Sequence, residues 1–217
     1  MQQKRVITVN TAYLCSMKQG TDEYTVIKHE SRAEIKVQGS RFLAQCSPSS
    51  TKEDAEQFIA VQKKHYFDAT HNSYAYRIGA DGFRFSDDGE PNGTAGKPIL
   101  AAIDKFGLTN VVVVLTRYFG GTKLGVGGLS RAYREAAEAV LSTVEKVTEF
   151  KTAVIDVSFP HSYVGNVMYV VSKTGARILD TAYDEEVHMK LEIRVSKADE
   201  LRSLLVQRTN GNIALLS

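Results

Sequence analysis

The stretch RYFGGTKLGVGGLSRAYREA, Arg117 to Ala136, carries five glycines and four cationic side chains, with no acid before Glu135. Glycines at this density cost backbone entropy, so they imply left-handed turns or a close approach to the backbone. Anion binding uses both. The free amides that open a helix point at a phosphate, and the helix dipole and nearby cations favour its charge. Two specific nucleotide templates fail. The segment ending GTAGKP has Pro91 where a Walker loop needs its first glycine, and Pro98 where it needs a hydroxyl. GVGGLS ends in Ser130 where a dinucleotide fingerprint needs glycine. What remains is a generic phosphate or sulfate site made by Arg117, Lys123, Gly127, Gly128, Arg131 and Arg134. The helix is expected to begin near Gly128, placing Arg131 in its first turn, where a cation opposes the dipole unless an anion sits beside it. Gly127 is expected to need positive φ, which Val would not tolerate. The competing reading is structural. In it the glycines merely close a tight strand-to-helix connection, and Arg131–Glu135 and Arg134–Glu138 pair at i,i+4 on a solvated face.

Ser86, Asp87, Asp88 and Glu90 form an acidic segment, and hard cations such as magnesium take oxygen ligands. Acids beside glycine and proline more often shape turns by accepting bonds from nearby amides. These acids also have Arg117 or Arg131 to pair with, so the segment is expected to be structural and no metal ligand is assigned. His71 and Ser73 lie two apart on an expected strand and so share a face. No third group or oxyanion loop accompanies them, and His161 and His188 have no evident partner. No catalytic residue and no cofactor follow. Cys15 and Cys46 cannot make a CxxC metal knuckle and are too few for a disulfide framework. They read as free thiols of a protein in the reducing cytoplasm.

These residues need elements to position them. The chain has 217 residues, 43% hydrophobic and 24% charged, with a formal net charge of only +2, so a nucleic-acid partner must be argued from local charge. No apolar run approaches the roughly 20 residues that span a bilayer. Residues 1–23 read as a loose leader rather than a secretion signal. Strand alternation runs through YTVIKHE and AEIKVQGSRFLAQC, with Gly39 as a turn. Thr51 and Asp54 cap a helix through TKEDAEQFIAVQKKHY. HNSYAYRIG is a strand, PILAAIDKFG a helix stopped by Gly107, and NVVVVLTRYF a strand buried on both faces. After the glycines, Leu129, Ala132, Tyr133, Ala136, Val140 and Val144 form one helical stripe. The pattern restarts near 148 in the order βαββαβ, the ferredoxin-like split motif, with Ser196 and Asp199 as a helix cap. Two domains are therefore expected, 24–147 and 148–217.

FSDDGEPNGTAGKPIL followed by LTRYFGGTKLGVGGLSRAY closely resembles the signature of the YigZ/IMPACT family, and GSRFLA, Gly39 to Ala44, resembles its upstream element. The resemblance covers 24–217. It implies an α+β chain of two domains. The first is an α/β sandwich similar to the second domain of a small-subunit ribosomal protein and to domain IV of elongation factor G. The second is ferredoxin-like, similar to domain V of that factor. The glycine-rich motif maps onto Gly120, Gly121, Gly125, Gly127 and Gly128, with Arg117, Tyr118, Lys123 and Arg131 in its polar positions. The acidic motif maps onto Asp87, Asp88, Gly89, Glu90 and Thr94. The resemblance further implies translation regulation through a protein partner in the eukaryotic branch, with nucleic-acid binding suggested for bacterial members. It supplies no catalytic residue.

The expected function is that of a non-enzymatic cytoplasmic protein binding RNA or a ribosome-associated partner, with the glycine loop on backbone phosphate. Residues 1–147 hold 19 Lys/Arg against 16 Asp/Glu, and 148–217 hold 8 against 9. The second domain lacks the aromatic motif with which RNA-recognition sheets stack bases. The alternatives are an enzyme acting on a small phosphorylated or nucleotide substrate between the acidic and basic loops, and a protein-interaction module without an anion ligand.

Overall fold

The computed structural model describes residues 22–216, within which the chain divides into two compact units, Glu23–Glu149 and 150–216 together with Asp22. Cys15 and residues 1–21 of the expected leader lie outside the described residues.

In the first unit, β2 (Ser31–Val37) and β3 (Ser40–Pro48) make a hairpin through Gln38 (φ 46°) and Gly39 (φ 81°). Left-handed backbone at both central residues matches the twist of the flanking strands. Helix α1 (Lys52–His65) opens on a capping box, in which the Thr51 hydroxyl accepts the Asp54 amide and the Asp54 carboxylate accepts the Thr51 amide. Then come β4 (His71–Ile78), β5 (Gly82–Ser86), α2 (Gly96–Lys105), β6 (Val111–Tyr118) and α3 (Gly125–Thr143). The strands form an antiparallel five-stranded sheet in the order β2-β3-β6-β4-β5. Central β6 explains its own composition. Val111, Val113 and Leu115 pack under α2 and α3, while Val112 and Val114 face Ala55 and Ile59 of α1. Cys46 is a free, buried thiol whose pKa burial pushes up to about 11, so it stays protonated and unreactive.

The boundary expected near 147 falls within a strand. Lys146–Phe150 forms β7, which pairs with β1 (Glu23–Ile27) in a two-stranded sheet. Its partner is more than a hundred residues away in sequence, so no local pattern marks it.

The second unit runs β8 (Thr152–Phe159), α4 (Val164–Thr174), β9 (Arg177–Tyr183), β10 (Val187–Arg194), α5 (Ala198–Arg208) and β11 (Ala214–Leu216). Its strand order β11-β8-β10-β9 is the ferredoxin-like arrangement, and α4 ends on Gly175 in the left-handed conformation. Ile155, Val157 and Phe159 meet Val167 and Val170 of α4 and Leu201 and Leu205 of α5 in a separate core. The expected Ser196 cap does not form. A 3-10 turn over Val195–Lys197 shifts the start of α5, and the Ser196 amide donates to the Asp22 carboxylate instead.

Candidate functional site

The glycine loop leaves the sheet at Tyr118 and is held by its first glycine. Gly120 lies against the β2–β3 turn, where an added Cβ would stand 1.9 Å from the Gly39 carbonyl carbon. The Gly120 amide donates to Ser40 Oγ at 3.1 Å. Gly121 (φ 87°) and Gly125 (φ 69°) make the left-handed bends that side chains avoid. Close approach and left-handed turning are thus both present, at different glycines.

Helix α3 begins at Gly125 rather than near Gly128. Gly127 and Gly128 consequently lie in its first turn, and Gly127 is not among the positive-φ residues. Arg131 falls in the second turn. Helical side chains lean toward the N-terminus, and Arg131 does so, its Nη1 lying 3.6 Å from where a Cβ on Gly127 would be. Its guanidinium therefore returns to the mouth of the helix. Leu124, the N-cap, makes no capping bond, and the first turn carries no acid.

The four cations expected at the anion site separate into two groups. Lys123, Arg131 and Arg134 are exposed and enter no ion pair or hydrogen bond among the described residues. The Arg134–Glu138 pair is absent because Glu138 takes Lys105 at 2.7 Å. Arg117 is buried. Its Nη1 meets Glu90 Oε1 at 2.7 Å, its Nη2 reaches Ser40 Oγ at 3.4 Å, and its guanidinium lies 5.5 Å from the ring centroids of both Phe42 and Phe119. A buried guanidinium already paired with a carboxylate offers little to an external phosphate.

Glu90 is the centre of a buried polar cluster beneath the loop. The same Oε1 accepts the Tyr133 hydroxyl at 2.8 Å, and His71 Nε2 stands 3.9 Å from Oε2. Burial, together with the Glu90 carboxylate, raises the Tyr133 pKa, which keeps the hydroxyl a neutral donor. His71 Nδ1 lies 2.8 Å from the Asp88 carbonyl oxygen, which can only accept, so Nδ1 carries hydrogen. Ser73 Oγ donates to the Asp87 carbonyl at 2.8 Å. His71 and Ser73 do share a face, and both are spent on holding the acidic segment. Tyr133, read from spacing as a core residue, and Ser40 belong to this cluster without any local signal.

Asp87 accepts the amides of Gly93, Ala95 and Gly96 at 2.8–2.9 Å. Burial alone pushes this carboxyl up, but the three amides outweigh it and hold the pKa below the ordinary value. Asp88 takes Lys63 at 2.5 Å and the Asn72 amide at 2.7 Å. Thr94 Oγ1 donates to the Pro91 carbonyl at 2.6 Å. Each acidic-motif side chain thus has a partner inside the fold, and among the described residues no group of three or more His, Cys, Asp and Glu is placed to hold a metal ion.

The chain is 33% identical over 190 residues to the IMPACT family member YvyE of Bacillus subtilis, covering 87% of this chain and 88% of that one. It belongs to the IMPACT family. Residues 38–141 match the Impact N-terminal domain, a span that includes the glycine loop and the acidic segment. Residues 157–212 match a domain of unknown function, DUF1949. The IMPACT family member YigZ of Escherichia coli is 29% identical over 187 residues, covering 83% of this chain and 91% of that one. A solved structure, titled a crystal structure of an hypothetical protein, superposes with a TM-score of 0.66 at 25% identity, over 90% of this chain and 97% of that one. Among the described residues no helix is long and apolar enough to cross a membrane.

Proposed function

We propose that this IMPACT-family protein binds RNA through the backbone phosphates, at the mouth of α3, as part of a cytoplasmic role in translation. The observation that carries this reading is that Lys123 and Arg131, exposed and in no ion pair among the described residues, stand at an uncapped helix start with no acid in its first turn, with Arg134 exposed further along α3. Unopposed cations beside free amides attract a multiply charged anion. The translation setting comes from the family resemblance and is supported by membership alone.

Phosphate contacts read no sequence, so binding is insensitive to base order and sensitive to salt. With Arg117 committed to Glu90, three cations remain. Each contributes about 0.7 to the log–log salt slope on a single strand, giving a slope of about −2. Replacing Lys123 and Arg131 together by Ala lowers its magnitude by about 1.4. Titrating a fluorescent single-stranded RNA into wild type and double mutant across a salt series measures both. Equal slopes would leave the cations as a solvated helix face and return the loop to a purely structural role.

A further inference from the structure

Two exposed phenylalanines stand at the end of the sheet from which the glycine loop departs. Phe67 is 85% exposed and Phe119 47%. They are far apart in sequence, and three hydrogen bonds bring their segments together. The Tyr118 hydroxyl donates to Asp68 Oδ1 at 2.8 Å, the Phe119 amide to Thr70 Oγ1 at 3.0 Å, and the Thr70 amide to the Arg117 carbonyl at 2.9 Å. The turn after α1, closed by the Ala69 amide on the Tyr66 carbonyl, is thereby fastened to the last residues of β6, and Phe67 is its second residue. Neither phenylalanine belongs to a hydrophobic cluster. The Phe119 ring is seated on the Arg117 guanidinium, 5.5 Å from the ring centroid, and Glu90 holds that guanidinium in turn. Phe119 thus has a fixed cation on one side while half of its surface stays in water.

A single exposed phenylalanine is ordinary on a protein surface. Two on hydrogen-bonded segments, beside unpaired cations, make a surface of a particular kind. Lys123 lies four residues beyond Phe119, at most about 14 Å along the chain. Few ligands use both features. Free phosphate would meet the cations and leave the rings in water. An apolar segment would cover the rings and leave Lys123 and Arg131 without counter-charge. A duplex offers phosphates but keeps its bases stacked inside. An unpaired strand offers a charge at every link and a flat face at every base. Resting on the RNA reading above, we propose that the ligand is single-stranded RNA, whose bases stack on Phe119 and Phe67 while its phosphates pass Lys123 and Arg131. Stacking of this kind tolerates any base, in keeping with binding led by phosphate.

Fluorescence titration of the full chain with oligouridine, an abasic strand of the same length and an RNA duplex tests it. The abasic strand keeps the phosphates and loses the bases, and it is expected to bind about tenfold more weakly than oligouridine. Phe67→Ala with Phe119→Leu is expected to weaken oligouridine by about tenfold, while duplex affinity and the salt slope stay at their wild-type values. Phe67→Ala alone, at a side chain almost wholly in water, should show part of that loss without touching the fold. An abasic strand that binds as tightly as oligouridine overturns the stacking. So does oligouridine binding equally to wild type and the double variant, which would leave the rings to a protein partner. In both cases a salt slope that still falls on replacing Lys123 and Arg131 keeps the phosphate reading intact. A wild-type protein that binds none of the three ligands overturns both.

Discussion

Glycines spaced a few residues apart do different jobs at the residue scale. At Gly120 any side chain collides with the backbone of Gly39 and Ser40, with atoms at 1.9–2.2 Å that cannot swing away. At Gly127 the backbone is helical and a Cβ meets only the end of the Arg131 side chain at 3.6 Å. Gly120→Ala should therefore destabilise the protein by about 3 kcal/mol, as overpacking against backbone does. Gly127→Ala should be neutral or stabilising by up to about 1 kcal/mol, because alanine is the better helix former. Denaturant unfolding of the two variants checks this, and similar effects would refute it. The same contrast replaces the expectation for Gly127→Val. Strain from positive φ does not apply there, and what remains is the β-branched residue's modest cost in a helix.

At the scale of elements, the acidic segment is a cap supplied from a distance. Ala95, the N-cap of α2, makes no side-chain bond, and Asp87 at the end of the β5 turn accepts the Ala95 and Gly96 amides in its place. The element also sits close, for a Cβ on Gly96 would stand 2.9 Å from the Ser86 backbone. Asp87→Ala should cost about 2 kcal/mol, by leaving three amides without their acceptor. The pH dependence has a definite sign. The folded-state pKa is depressed below the ordinary aspartate value, so the ionised form is the one the fold prefers. Its stabilisation is complete above about pH 4 and fades as pH falls through the folded value. The stability gap between wild type and Asp87→Asn, followed by urea unfolding from pH 7 to pH 3, should narrow at the acid end. A gap that stays constant, or widens, would contradict the assignment.

At the scale of the whole molecule, the hydrophobic clusters respect the division of the chain. The cores around β6 draw on residues from 27 to 144, and that around β10 on residues from 153 to 213. We propose on this basis that residues 150–217 fold alone, although a single core of this size is near the lower limit of independent stability. A fragment of that span should give a dispersed amide spectrum by NMR and a cooperative thermal transition. A collapsed spectrum would show that it depends on the rest of the chain. Because β7 is paired with β1, proteolysis within 146–150 should be slower than a plain linker would allow.

The sequence by itself determined what depends on neighbours in the chain. The Thr51–Asp54 capping box, the Gly39 turn, the buried β6 run, the stripe of α3 and the ferredoxin-like order of the second unit all follow from local period and turn chemistry. The composition of the glycine loop also singled out Lys123 and Arg131, which lie beside and within the first two turns of α3. Tertiary structure decided how those residues are used. Arg117 looks like the other three cations in sequence, and only the return of Glu90 and Tyr133 to the same point under the sheet turns it into a buried partner. The same holds for β7, whose pairing strand opens the described chain. Burial and long-range pairing set the dielectric and the partners a side chain meets, and neither is written in the residues beside it.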